Sequence, residues 1–118
     1  MITSTHRFHG YGSLRYIYKN GSTVRGPLCS LKYIANPKRR SYRLSVVVNK
    51  KVNKSAVVRN RIRRRIYEAF RTREELLSGP HDLVITVFSD QILELSAAKL
   101  DQLLGAQLKQ AGLVRPKA

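Results

Sequence analysis

The run from Ser55 to Arg73, SAVVRNRIRRRIYEAFRTR, admits few folded arrangements. At about 100° per residue, a helix here gathers Val58, Ile62, Ile66 and Ala69 into one quarter of its circumference, with Phe70 just past the edge. Arg61 and Arg65 flank that stripe on one side, and Arg59 and Arg63 on the other. Asn60, Arg64, Tyr67 and Arg71 fall opposite it. Such a helix can bury only its stripe, so it must lie on the surface of a larger core. Surface helices usually mix charges, because like charges at i,i+4 repel. Here only Glu68 relieves the repulsion. The surface calls for a polyanion, and the planar, forked donors of arginine suit phosphate oxygens. A merely solvated basic face is the plain alternative.

The charge is concentrated rather than spread. The 118 residues include 23 Lys and Arg against 7 Asp and Glu, a net charge of +16. Between Lys38 and Arg73 stand 14 basic residues and one acid, which leaves 9 basic and 6 acidic residues elsewhere. A bias confined to one third of the chain points to a built nucleic-acid surface. Hydrophobic residues make up 42%, enough for a single domain over 1–118 with its own core. No run approaches the roughly 20 apolar residues that cross a bilayer, and the N-terminus lacks an apolar signal region, so no membrane partner is expected. Cys29 is the only cysteine and cannot form an internal disulfide. It reads as a small buried hydrophobe, and a cytoplasmic protein is the simplest expectation.

Residues 1–12 read as an irregular arm. Ser13 offers an N-cap to a short helix, LRYIYKN, with Leu14, Ile17 and Tyr18 on one face and Gly21 as its stop. Gly26-Pro27 precedes LCSLKYIAN, where Cys29, Leu31 and Tyr33 alternate with Ser30 and Lys32 as in a strand. Asn36 to Arg40 makes a basic turn, and YRLSVVVNK is a second strand close enough to pair with the first as an antiparallel hairpin. After the arginine helix, Ser78-Gly79-Pro80 marks a stop. HDLVITVF is the most strand-like segment, a nearly continuous apolar run suited to mid-sheet, with Asp82 and Asp90 as flanking turn residues. A last helix, from about Leu95 to Ala111, would pack Ala97, Leu100, Leu104, Leu108 and Ala111. Gly112 closes it before a basic tail over 113–118. One sheet covered by helices buries these faces economically.

No catalytic constellation can be assembled. His6, His9 and His81 lack metal-ligand spacing, one cysteine excludes the usual zinc patterns, and no nucleophile motif or phosphate-binding glycine loop is present. A nuclease acting alone would need clustered acids for Mg²⁺, and the basic region has one acid. No catalytic or metal-binding residue is therefore assigned. Binding chemistry is easier to find: five of six tyrosines precede the arginine helix, and rings beside a basic surface suit the bases of a single strand. Tyr18 and Tyr33 are the leading candidates, against the alternative that they are ordinary half-buried residues.

The segment KKVNKSAVVRNRIRRRIYEAFR closely resembles the signature of the bacterial ribonuclease P protein subunit, a Lys-Lys pair, an Ala-Val stretch and Arg-Asn-Arg followed by further basic residues. Lys50, Lys51, Ala56, Val57, Arg59, Asn60, Arg61, Arg63 and Arg64 match it, and the order of elements agrees over nearly the whole chain. The resemblance implies an α/β sandwich in which a mixed sheet of about four strands packs with three helices, the arginine helix forming a left-handed βαβ crossover. It implies an accessory subunit of an endoribonuclease that removes the 5′ leader of precursor tRNA, with the catalytic groups and Mg²⁺ held mainly by the partner RNA. Carried over by position, Lys50, Lys51, Lys54, Arg59, Asn60, Arg61, Arg63, Arg64 and Arg65 would meet that RNA. Leu14, Tyr18, Lys32 and Tyr33 would line the leader cleft. Leu14 stands where the family has an aromatic, Tyr67 where arginine is frequent, and Arg65 where an apolar residue is common. The partners implied are the ribonuclease P RNA and precursor tRNA, with no obligatory protein partner.

The main competing reading is a structural RNA-binding protein such as a ribosomal component, which shares the basic bias but needs no aromatic-bearing first helix. A DNA-binding reading lacks a groove-reading pattern such as a helix-turn-helix.

Overall fold

The structure is a computed structural model and describes residues 11–36, 42–72 and 81–113, the side chains of 11–14 excepted. Helix α1 (Tyr11–Asn20) leads into strands β1 (Ser22–Arg25), β2 (Cys29–Ala35) and β3 (Arg43–Val47). Helix α2 (Ala56–Arg71), strand β4 (His81–Val87), a 3-10 helix (Asp90–Glu94) and helix α3 (Ala97–Gln110) follow. The four strands form one mixed sheet in the order β1-β2-β4-β3. β2 runs antiparallel to both β1 and β4, whereas β3 and β4 are parallel. The expected α+β sandwich, four strands with three helices, is the architecture observed.

The expected β2–β3 hairpin does not form, because β4 is inserted between the two strands. The reason lies in β4 itself: Asp82 to Ile85 and Val87 are all buried, so this strand must be covered on both faces and flanked on both edges. Parallel neighbours also need a long crossover, and the segment carrying α2 supplies it between β3 and β4. β1, not recognised as a separate strand in the sequence, pairs Ser22–Arg25 with Ser30–Tyr33 at the opposite edge.

Side-chain alternation divides the core into two unequal parts. Leu31, Leu44, Val46, Leu83, Ile85 and Val87 face α2 and α3, in one large cluster with Ile62, Ile66, Phe70, Leu100, Leu104 and Leu108. The other face carries a small cluster of Ile17 and Val84, with Ile34 and Val47 against it. α1 rests on that face through Ile17 against Val84, and of the strand residues sharing the face only Thr23 and Arg25 of β1 are exposed.

Two helices differ from expectation in detail. In α2 the buried residues are Ile62, Ile66, Tyr67 and Phe70, so the buried arc is rotated toward Phe70 and extends to Tyr67. Tyr67, expected on the outer face, is buried because its hydroxyl accepts from the Val46 N–H (3.2 Å), a bond that ties α2 to β3. In α3, Leu100, Leu104 and Leu108 are buried as expected, but Ala97 is exposed. Gln107 takes an inward place instead, donating to the carbonyls of Cys29 (3.0 Å) and Val24 (3.4 Å) and accepting from Cys29 Sγ (3.3 Å). Burial pushes the Cys29 thiol up to about 11. Leu113, expected in the basic tail, belongs to the core. Gly112 adopts φ +76°, and the N–H groups of Gly112 and Leu113 return to Lys109 and Leu108, a glycine-ended cap that folds Leu113 inward.

α1 begins at Tyr11, so Ser13 lies inside the helix rather than capping it, and the last two residues of the expected arm are helical. The rest of that arm, the turn at 37–40, the stop at 78–80 and the tail from 114 lie outside the described residues. Gly21 ends α1 with its N–H on the Ile17 carbonyl (2.7 Å). A Cβ there would meet Ile17 O at 2.7 Å and Tyr33 O at 3.0 Å, both backbone atoms that cannot swing away. Gly21→Ala should therefore lower the stability of the chain by about 1–3 kcal/mol in urea unfolding, from overpacking at the α1–β2 junction. Unchanged stability would mean that α1 can lift off the sheet freely.

Candidate nucleic-acid interface

The basic surface is built on α2 and the loop that feeds it. Ser55 caps the helix, its Oγ accepting from the Val58 N–H (3.3 Å). Asn53 organises the preceding turn: its Oδ1 accepts from the Ser55 N–H (2.9 Å), and its amide donates to Asp90 Oδ2 (3.1 Å). Lys50, Lys51 and Lys54 are exposed on this loop.

The arginines of the helix separate into two kinds. Arg59 donates to the carbonyls of Asn53 and Lys54, both at 2.9 Å, and so clamps the loop against the first turn of its own helix. Arg63 donates to Asn60 Oδ1 (2.6 Å) and, at 3.5 Å, toward the Val48 carbonyl beyond β3. Arg65 reaches the carbonyls of Ile92 (2.6 Å) and Leu95, pinning the 3-10 helix and the entry to α3. All three are partly buried. In contrast, Arg61 and Arg64 are exposed and, among the described residues, their side chains have no hydrogen-bond or ion-pair partner. The same holds for Lys50, Lys51 and Lys54. Asn60 is exposed beside Arg61 and Arg64 on the helix surface, its carbonyl oxygen turned to Arg63 and its amide donors available outward.

At the far end of the helix, Arg71 holds Glu68 in an exposed i,i+3 pair, and that hydrogen bond is the largest cause lowering the carboxyl below its ordinary range. A cavity of about 370 Å³ lies between α2 and α3, lined by Arg65, Glu68, Ala69, Ala98, Leu100 and Asp101 among others.

The other candidate residues sit across the sheet. Tyr18 is 44% exposed on α1, and Lys32 Nζ lies 5.5 Å from its ring centroid while donating to the Tyr18 carbonyl (2.5 Å). Lys32 thus fixes one of the last carbonyls of α1 and carries its charge to the helix C-terminus, where the dipole favours a cation. Leu14 lies on α1, but its side chain is outside the described residues. Tyr33, adjacent to Lys32 in the strand, points to the opposite face and packs against the large core. The structure therefore brings Tyr18 and Lys32 together and separates Tyr33 from them. Period-two alternation carries that distinction, since Cys29, Leu31 and Tyr33 share one face.

Three features of the site were not singled out in the sequence. The Asn53–Asp90 contact joins positions 37 apart. Asp82, expected in a turn, is buried within β4, where Arg43 donates to both its oxygens (2.9 and 2.8 Å) and Asn36 donates to Oδ2 (2.9 Å). That bond raises Arg43 above its ordinary value. The cross-strand register Arg43↔Asp82 creates this pair, and no local pattern announces it. The third is an exposed ring, Phe88, with Arg25 over it at 5.0 Å. Among the described residues, no three His, Cys, Asp or Glu gather as a metal site, and no helix is long and apolar enough to cross a membrane.

Comparison with known proteins agrees with this geometry. The profile of a family described as Ribonuclease P matches residues 2–112. The chain is 33% identical over 100 residues to the Ribonuclease P protein component of Chloroflexus aurantiacus, covering 85% of this chain and 73% of that one. It is 35% identical over 97 residues to the corresponding component of Thermus brockianus, covering 82% of this chain and 55% of that one. In fold it is similar to the RNase P protein of Staphylococcus aureus, with a TM-score of 0.81 at 24% identity over 93% of this chain and 98% of that one. The protein from Thermotoga maritima gives 0.78 at 21% identity, over 88% and 96%.

The two kinds of arginine should separate in denaturation. Arg65→Ala removes two charge-assisted bonds to buried-side carbonyls and should lower stability by about 1.5–3 kcal/mol. Arg61→Ala and Arg64→Ala should stay within about 0.5 kcal/mol of the parent. Equal losses at all three positions would refute the division.

Proposed function

The chain belongs to the ribonuclease P protein family, and we propose that it works as the RNA-positioning subunit, its two faces holding different RNAs. Membership makes it a component of the ribonuclease P ribonucleoprotein, an endoribonuclease complex of tRNA processing, with the ribonuclease P RNA as partner. The finer assignments are our reading. The observation that carries them is the group of exposed cations, Arg61, Arg64, Lys50, Lys51 and Lys54, held on a loop and helix that other arginines have already made rigid.

On this reading the α2 face and its loop bind the catalytic RNA through phosphates. Exposed guanidinium groups without an internal partner lose little on binding and gain bidentate contacts. Arg59 acts through the loop it clamps, and Arg63 through Asn60, so both are positioning residues. The α1 face takes the 5′ leader of precursor tRNA: Tyr18 offers a ring to an unpaired base and Lys32 a charge beside it. Mg²⁺ belongs to the RNA. What supports this is the surface itself: exposed cations repel a bare divalent ion, and no group of three carboxylates gathers among the described residues. The cell compartment that fits is the cytoplasm.

Precursor-tRNA cleavage should be measured at low Mg²⁺ with the protein, with the cognate catalytic RNA, and with both. Cleavage at the mature 5′ end in the combined sample alone supports the reading. Cleavage by the protein alone would overturn the placement of the catalytic groups on RNA. No stimulation of the RNA would favour a structural RNA-binder instead. In the same system, Arg61→Ala and Arg64→Ala should each weaken RNA binding and lower the slope of log K against log salt by about one. Tyr18→Ala should spare assembly and reduce the preference for precursor over mature tRNA.

A further inference from the structure

The sheet face that α1 half-covers carries a second exposed aromatic ring. Phe88 follows β4 and is 42% exposed. Its backbone is nonetheless fixed, the N–H donating to Leu28 O (2.8 Å) at the entry to β2. Val84 faces α1, and alternation along the chain places Thr86 and Phe88 on that same side. Arg25 arrives there from β1, whose Val24 points into the large core on the opposite side. β1 is not adjacent to β4, so the Arg25 side chain spans the end of β2 to place its guanidinium 5.0 Å from the Phe88 centroid. Among the described residues no acid pairs with Arg25.

The arrangement repeats the one at α1, where Lys32 lies 5.5 Å from the Tyr18 centroid. Lys32 touches Tyr18 and Leu28 is bonded to Phe88, and these two residues stand four apart in the chain, roughly 13 Å at the rise of a strand. Between them the floor is Ser30, paired across the sheet with Arg25 on one side and Thr86 on the other. Small hydroxyl residues there leave the backbone of a strand room to pass. An exposed ring beside a cation is suited to a base, which stacks on π-surface whatever its identity. A protein partner seeking an apolar anchor would gain less from a ring already covered by a charge.

We propose that Arg25 and Phe88 form a second base-stacking position, which takes an unpaired nucleotide of the same single-stranded RNA that passes Tyr18. The proposal rests on the reading of the α1 face as the leader site. It makes leader recognition two-point: one ring at each end of a polar floor, each with its own cation.

The test uses the holoenzyme and precursor tRNAs whose leaders are shortened one nucleotide at a time. With the parent protein, affinity should rise in two steps as the leader grows. Phe88→Ala should abolish the second step, a loss of about tenfold or more, while leaving short-leader substrates and assembly with the RNA unchanged. Phe88→Tyr should retain it, and Arg25→Ala should reduce it. An abasic nucleotide at the second position should mimic Phe88→Ala in the parent and add nothing to the variant. A second step that survives Phe88→Ala would overturn the proposal while sparing the leader reading. An equal loss at every leader length would mark Phe88 as structural and would likewise overturn it. A parent holoenzyme indifferent to leader length, with Tyr18→Ala silent, would bring down the leader reading and this inference with it.

Discussion

β4 is buried on both faces, and much of the remaining architecture follows from covering it. A strand with so little polar surface cannot lie at an edge, so β2 and β3 are set apart to flank it. Parallel pairing with β3 then requires a crossover, and the arginine helix is the long amphipathic segment that supplies it. Its buried arc, Ile62, Ile66, Tyr67 and Phe70, must meet the same sheet face as α3, and among the described helices α1 takes the other. A large apolar cluster on one face and a small one on the other are therefore two results of a single requirement.

The arginine helix could not hold its place by apolar burial alone, because a row of like charges resists compaction. The chain resolves this by directing some guanidinium groups to carbonyl oxygens rather than to carboxylates. Arg59 closes the loop before α2, Arg63 reaches back toward the end of β3 and Arg65 holds the 3-10 helix. These contacts satisfy backbone acceptors outside the α-helices and strands. They also spare the scarce acids, since Asp82 is committed to Arg43 and Glu68 to Arg71. The positive surface is consequently not neutralised by its own scaffold.

Much of this was legible in the sequence, and the parts that were not have a common physical cause. Local signals were sufficient for α2, for β4 as a central strand and for the leucine stripe of α3, since each depends on periodicity within one segment. Long-range pairing was not accessible. β2 and β3 each read as a good strand, but only the competing claim of β4 for two neighbours decides that they do not pair. Tyr67 was misplaced because helical angle alone cannot see the Val46 N–H waiting in β3. Asp82 reads as a turn residue until register sets Arg43 opposite it. The family signature marks Arg59, Arg61, Arg63 and Arg64 alike, whereas their hydrogen bonds separate clamps from free donors. That difference resides in carbonyl groups, which every residue possesses and no sequence motif displays.

The division has a consequence for how ionic strength acts on the molecule. The clamping arginines bind neutral carbonyl dipoles at short range in partly buried settings, which mobile ions screen weakly. The exposed cations repel one another across open solvent, where screening is strong. Added salt should thus relieve strain in the free chain while it weakens every contact that depends on releasing counterions from RNA. Stability and affinity should respond to salt with opposite sign, both through the exposed cations, while the clamped arginines keep the scaffold largely indifferent to it. A surface of free cations alone would show the same two responses but would lack the salt-insensitive clamps that hold its loop and helix in place.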